Sequence, residues 1–256
     1  MKPPPAAELN AGGVAPGRGD TAARGAELRQ NLAEVRERMR RACEAAGRAP
    51  DEITLIAVTK FFPVQDAVLL AGAGVADLGE SRDQEASAKV AEFGGLSKAK
   101  VRWHFIGRLQ SNKAKSVARY ADVVHSVDRL ELAKALDNGV RRAEREPLAV
   151  LVQLSLDADP ERGGSASAEL ERLADEVAGL DSLRLAGVMA IAPLDVEADV
   201  AFGQLEEVAE RVRASHPEAR MISAGMSNDL EAAVRHGATH VRIGTALLGR
   251  RATPFR

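Results

Sequence analysis

Eight short apolar runs recur along the chain, at Ile53–Val58, Val75–Gly79, Val101–Ile106, Asp122–Val127, Ala149–Leu154, Leu183–Ala190, Arg220–Ser223 and His240–Ile243. Amphipathic segments with helical spacing separate them, among them Val64–Ala73, Asn112–Tyr120, Arg129–Glu144, Ala168–Gly179, Val200–Ala214 and Asp229–His236. Strands that alternate with helices pair in parallel through right-handed crossovers. Eight such units predict an α/β fold in the form of a single closed (β/α)8 barrel of the TIM type. No Gly-x-Gly-x-x-Gly turn follows the first run, which weighs against an open dinucleotide-binding sheet. Ahead of the first strand, Leu28, Leu32, Val35, Met39 and Cys43 mark one face of an extra N-terminal helix starting near Ala26. Residues 1–24 are rich in Pro, Ala and Gly without periodicity and read as a disordered arm, leaving residues 25–256 as one barrel domain.

Composition narrows the function classes. Hydrophobic residues make up 45% of the 256, enough for a sizeable core, and aromatics only 3%, so that core is aliphatic. A net charge of -2 provides no overall attraction to nucleic acid or to an anionic membrane, so a small anionic ligand needs a local site. No apolar run reaches transmembrane length, and the single cysteine, Cys43, falls on the apolar face of the first helix. A cytoplasmic protein is the expectation. The five histidines show no zinc-site spacing.

In a barrel the active site is built from residues that follow each strand. Here those junctions hold Thr59-Lys60, Glu80-Ser81-Arg82, Gly107 with Gln110 to Asn112, His125-Ser126, Met189, Gly225-Met226-Ser227-Asn228 and Gly244-Thr245. Lys60 closes the apolar run Ile53–Thr59. Desolvation there favours the neutral amine, a nucleophile for an aldehyde or ketone, although the same lysine could simply extend to solvent. Gly225 and Gly244 permit close backbone approach, and Ser227 or Asn228 is placed to cap a helix starting near Asp229. Barrel phosphate sites commonly form from the loops after strands seven and eight, where these residues fall. A Schiff-base lysine after strand one, opposite a phosphate cradle, suits a phosphorylated aldehyde such as pyridoxal 5'-phosphate (PLP).

Several long motifs then carry a family resemblance. They are Val58-Thr59-Lys60 with Pro63, Gly79 to Glu85, Trp103 to Lys113, His125 to Asp128, Ser223 to Asp229 and Val241 to Thr245. From about Ile53 to Gly249 the chain resembles the pyridoxal phosphate homeostasis proteins, which are related to the N-terminal barrel of alanine racemase. The resemblance implies that Lys60 forms the Schiff base with PLP, that Ser227, Gly244 and Thr245 hold the phosphate, and that Arg242 faces the pyridine nitrogen. A permanently charged arginine there keeps the ring nitrogen unprotonated and weakens the ring as an electron sink. Gly225, Met226, Ser81, His104 and Met189 complete the expected cofactor-binding set. Ser81 stands where the family usually has asparagine, and Ala224 where it has methionine. No metal is expected. Alternation on the third strand puts one of Trp103 and His104 inward and the other outward; Trp103 reads as core, and His104 is the one that could reach the ligand.

The function implied is storage or delivery of PLP in the cell by a monomer, with apo forms of PLP-dependent enzymes as recipients. Two other readings stay open: a PLP-dependent amino-acid racemase, and a class I aldolase that uses Lys60 without a cofactor. Two-base racemization needs a second acid/base group, a tyrosine from a C-terminal domain in alanine racemase, and the one tyrosine here, Tyr120, is expected at a helix end away from the strand mouths.

Overall fold

The computed structural model describes residues 18–157, 159 and 162–249. Eight parallel strands close into a barrel in sequential order: β1 (Thr54–Val58), β2 (Asp77–Glu80), β3 (Arg102–Phe105), β4 (Val123–Val127), β5 (Leu148–Gln153), β6 (Leu183–Met189), β7 (Met221–Ser223) and β8 (His240–Ile243). Closure pairs β1 with β8, placing Ile56 beside Arg242 and Ala57 beside Ile243. Each strand coincides with one of the apolar runs, as an α/β barrel requires.

The helices are α1 (Arg18–Ala45), α2 (Val64–Gly72), α3 (Asp83–Leu96), α4 (Ala114–Val117), α5 (Leu130–Arg142), α6 (Ser167–Ala178), α7 (Ala198–Ser215), α8 (Leu230–Arg235) and α9 (Thr245–Leu248). Outward strand residues and inward helix faces form two shells of buried aliphatic side chains around the barrel. Inside it, Val123, Ala149, Leu151, Ala186 and Met189 form a small separate cluster. Alternation along the strands sends Asp77, His104, His125, Ser223, His240 and Arg242 inward as well, so the interior carries a buried polar layer.

One sequence expectation is corrected, and one helix that the barrel pattern requires was not picked out by its spacing. The arm expected over residues 1–24 is helical from Arg18, because α1 continues upstream of its apolar stripe and Arg24 pairs with Asp66 of α2 at 2.7 Å; residues 1–17 lie outside the described residues. Helix α3 was not anticipated, since its 14 residues include Gly94 and Gly95 and bury only Ala86, Lys89 and Phe93. The stripe Leu28, Leu32, Val35, Met39 and Cys43 of α1 is buried against α2, α8 and α9, as its spacing predicts. No helix of the described residues is long and apolar enough to cross a membrane.

Candidate cofactor site at the barrel mouth

Strands β1 and β8 are neighbours only because the barrel closes, and closure brings Lys60 to Gly244 and Thr245. One cavity of about 210 Å³ is lined by Val58, Lys60, Phe61, Phe62, Gly244, Thr245 and Gly249. Lys60 is half-buried there, with its amine 5.9 Å from the Phe61 ring centre.

The turn carrying Lys60 is held from behind. Phe61 has φ of 68°, a left-handed conformation costly for a bulky residue, and its N–H donates to Glu85 of α3. Thr59 Oγ1 donates to Glu80 Oε1 at 2.7 Å, while Lys89 Nζ donates to Thr59 O at 2.7 Å and to Glu80 Oε1 at 2.5 Å. Lys89 and Glu80 expose only 5% and 2% of their side chains. Burial raises the Glu80 carboxyl above its ordinary value against the attraction of Lys89, and among the described residues Glu80 Oε2 has no hydrogen-bond partner. The lysine-bearing turn is therefore clamped to β2 and α3 by a buried ion pair.

At the opposite wall, Ser227 does not cap α8 as the sequence suggested. Asp229 Oδ1 instead accepts from Met226 N, and Ser227 Oγ accepts at 3.3 Å from the N–H of Ala246 in α9. Ser227 thus ties the β7 loop to the segment that carries Thr245. Gly225 has φ of +86°, and a Cβ there would meet the Ala233 methyl at 2.6 Å, so protein packing rather than ligand approach demands glycine. Helix α1 pins this end of the barrel. Arg38 donates to Ser227 O at 2.6 Å and pairs with Glu231, while Asn31 and Arg24 donate to the carbonyls of Leu247 and Leu248 at 2.9 and 3.0 Å. Sequence reasoning missed these clamps; polar residues on a helix otherwise facing the core were the available signal.

Arg242 lies beneath the mouth, 5% exposed. It donates to Ser223 Oγ at 2.6 Å and to Ala190 O at 2.9 Å. Burial lowers its pKa to about 10, so the guanidinium stays charged at neutral pH. Among the described residues no carboxylate forms an ion pair with it, and Asp229 acts on it only through its charge.

The remaining expected residues divide. Met189 ends β6 inside the barrel, 1% exposed, and Met226 is exposed on the β7 loop. Ser81 lines a neighbouring cleft with Arg82, Arg108, Lys113 and Arg129 rather than the Lys60 cavity, and it presses on Gly107, where a Cβ would sit 2.1 Å from Ser81 O. His104 is not brought to the cavity either. Its ring nitrogens lie 2.8 Å from Asp77 Oδ1 and 2.9 Å from His125 Nε2, deeper in the barrel. Tyr120 donates to Asp83 at 3.4 Å, and burial with the Asp83 charge keeps its phenol protonated.

A parallel barrel with a lysine after β1 and a hydroxyl- and glycine-lined wall after β7 and β8 defines a class, and residues 26–252 match the family described as alanine racemase, N-terminal domain. Over 245 residues the chain is 49% identical to the pyridoxal phosphate homeostasis protein of Mycobacterium tuberculosis (strain ATCC 25618 / H37Rv), covering 89% of this chain and 94% of that one. It is 40% identical over 228 residues to the protein of the same name from Escherichia coli (strain K12), covering 88% and 97%. PipY of Synechococcus elongatus PCC7942, solved with PLP bound, superposes with a TM-score of 0.75 at 32% identity, covering 87% and 100%. The chain belongs to the pyridoxal phosphate homeostasis protein family.

Proposed function

We propose that this chain binds PLP at the barrel mouth, with Lys60 as its covalent anchor, and that it holds and releases the cofactor without significant turnover. The observation that carries this reading is the single cavity lined by Lys60 together with Gly244 and Thr245. When bound, PLP supplies an aldehyde carbon open to an amine, a pyridine ring and a phosphate dianion.

The residues fit that group. Lys60 supplies the amine. Thr245 and Ser227 supply hydroxyls beside Gly244, whose lack of a side chain leaves that wall open, and these would hold the phosphate. Arg242 supplies a buried positive charge that, among the described residues, forms no ion pair with a carboxylate, which disfavours a proton on a neighbouring ring nitrogen and so weakens carbanion stabilisation. Half-exposed Lys60 and exposed Thr245 leave the cavity open to solvent, so the cofactor can pass to an apo PLP-dependent enzyme without a lid opening. We propose a cytoplasmic monomer for this role.

The test is borohydride reduction of the PLP-loaded protein followed by peptide mass mapping, with Lys60→Ala alongside. The pyridoxyl mass is expected on Lys60, and Lys60→Ala is expected to lose the reducible visible absorbance while staying folded. Reducible absorbance that persists in Lys60→Ala would overturn the anchor. D-alanine formed from L-alanine at enzyme-like rates that depend on Lys60 would replace the carrier with a racemase, and a Lys60-dependent carbon–carbon cleavage without PLP would replace it with an aldolase.

A further inference from the structure

Below the Lys60 cavity, five strands contribute one polar side chain each to an unbroken line across the barrel interior. Arg242 of β8 donates from Nη1 to Ser223 Oγ of β7 at 2.6 Å. Ser223 Oγ lies 2.9 Å from His125 Nδ1 of β4, and His125 Nε2 lies 2.9 Å from His104 Nδ1 of β3. His104 Nε2 then meets Asp77 Oδ1 of β2 at 2.8 Å. Asp77 is bound in turn by Arg102, whose Nε lies 2.7 Å away and whose side chain is 56% exposed at the other rim of the barrel. All five members are buried, Ser223 and His125 completely. Among the described residues, no group of three or more His, Cys, Asp or Glu is arranged to hold a metal ion.

The two ends dictate which way every bond points. A guanidinium has only donors, so Ser223 Oγ accepts from Arg242 and its own proton is left for His125 Nδ1. His125 must then carry its proton on Nε2 and donate to His104 Nδ1. His104 carries its proton on Nε2 and donates to the Asp77 carboxylate, an acceptor. With neutral rings, the opposite direction would set an unprotonated His104 nitrogen against that carboxylate and leave the Ser223 proton without an acceptor. Burial, with the nearby Arg242 charge, holds His125 well below the usual histidine value, in keeping with a neutral link. Burial alone would raise the Asp77 carboxyl, but its bonds to His104 and Arg102 hold it below its ordinary value, so the acceptor end is ionised. A buried polar chain is tolerated only when every member is satisfied, and aligned bonds strengthen one another.

We infer that Ser223, His125, His104 and Asp77 are positioning residues for Arg242, forming a one-directional hydrogen-bond relay that fixes its guanidinium beneath the cofactor and ties that site to the Asp77–Arg102 pair at the opposite rim. The relay stands on the proposed place of Arg242 under PLP. It explains why His104 belongs to the motif Trp103 to Lys113 yet lines no part of the mouth: its work is done one layer down, through Ser223 and His125.

Long-range proton–nitrogen spectra of the wild-type imidazoles at neutral pH test the direction without any substitution. In both His104 and His125 the proton is expected on Nε2 with Nδ1 accepting; a proton on Nδ1 of either ring would overturn the relay. The function of the relay is read from the nitrogen-15 resonance of ring-labelled PLP and from PLP affinity in the full chain. His104→Leu, remote from the cavity, is expected to shift that resonance and weaken PLP roughly ten-fold, the scale of one charged hydrogen bond. His104→Gln, which keeps one acceptor and one donor, is expected to recover most of both. If Arg242→Leu changes neither readout, Arg242 is not at the ring and the reading beneath the relay falls. If Arg242→Leu shifts both and His104→Leu, with its circular-dichroism melt showing it folded, shifts neither, the relay is refuted while the cofactor site stands.

Discussion

Replacing Lys89 with methionine removes the centre of the clamp behind the Lys60 turn while nearly preserving volume. Its amine donates to Thr59 O, Glu80 Oε1 and Glu85 Oε1 at 2.7, 2.5 and 3.3 Å, from a side chain only 5% exposed. Without it, Glu80 is left as a buried carboxylate whose Oε2 already lacks a partner, and only Thr59 Oγ1 remains on Oε1. Breaking a buried pair from one side costs about 3–5 kcal/mol. At roughly 2–4 °C per kcal/mol for a domain of this size, that is a fall in Tm of about 6–20 °C. The pH dependence separates this cause from lost packing. Burial already raises the Glu80 pKa above its unfolded value, and losing Lys89 raises it further. A raised carboxylate contributes stability below its unfolded pKa and loses it as pH rises through the folded one. The gap between variant and wild type, measured by urea unfolding, is therefore expected to narrow as pH falls from about 7 toward 5. Adding Glu80→Gln should recover part of the loss in a double-mutant cycle. A gap under about 1 kcal/mol near neutral pH, or one that widens on acidification, would refute the uncompensated-carboxylate account.

Three further outcomes are expected. Ser227→Ala with Thr245→Ala should weaken PLP binding by about 1.5–3 kcal/mol for each charge-assisted hydrogen bond lost, with Lys60 still labelled on reduction; wild-type protein that bound pyridoxal as tightly as PLP, by fluorescence titration, would contradict a phosphate wall. His240 is held at about 4, chiefly by burial. Its depressed value contributes stability above the unfolded pKa of about 6.5 that is lost as pH falls toward 4, so urea unfolding should show about 3 kcal/mol lost over that window and a flatter profile in His240→Gln. In Gly107→Ala the new methyl would sit 2.1 Å from Ser81 O, which forces the β2 and β3 ends apart; a Tm drop corresponding to at least about 1–3 kcal/mol is expected by calorimetry, and an unchanged Tm would show that the contact relaxes freely.

The barrel and the order of its strands were legible in the linear pattern, because a strand buried on both faces must be apolar along its whole length and a parallel neighbour needs a helix to return. That Lys60, Gly244 and Thr245 would come together was legible for the same reason: closure makes the first and last strands adjacent, and the three line one cavity. Helix α3 was not legible, since Gly94 and Gly95 blunt its pattern and the spacing of Glu85 and Lys89 reads as a surface pair until β2 covers it with Glu80. The partner of Ser227 was also a tertiary matter. Its own loop offers α8, eighteen residues of chain lie between it and Ala246, and only the packing of α1 through Arg38, Asn31 and Arg24 brings α9 within reach. His104 shows the division most sharply. Alternation along β3 tells that one of Trp103 and His104 points inward, but which one does, and whether it tilts to the mouth or to the floor, depends on which donors and acceptors five separate strands present at its level, and those are set by barrel register, a property of the closed sheet and not of any one segment.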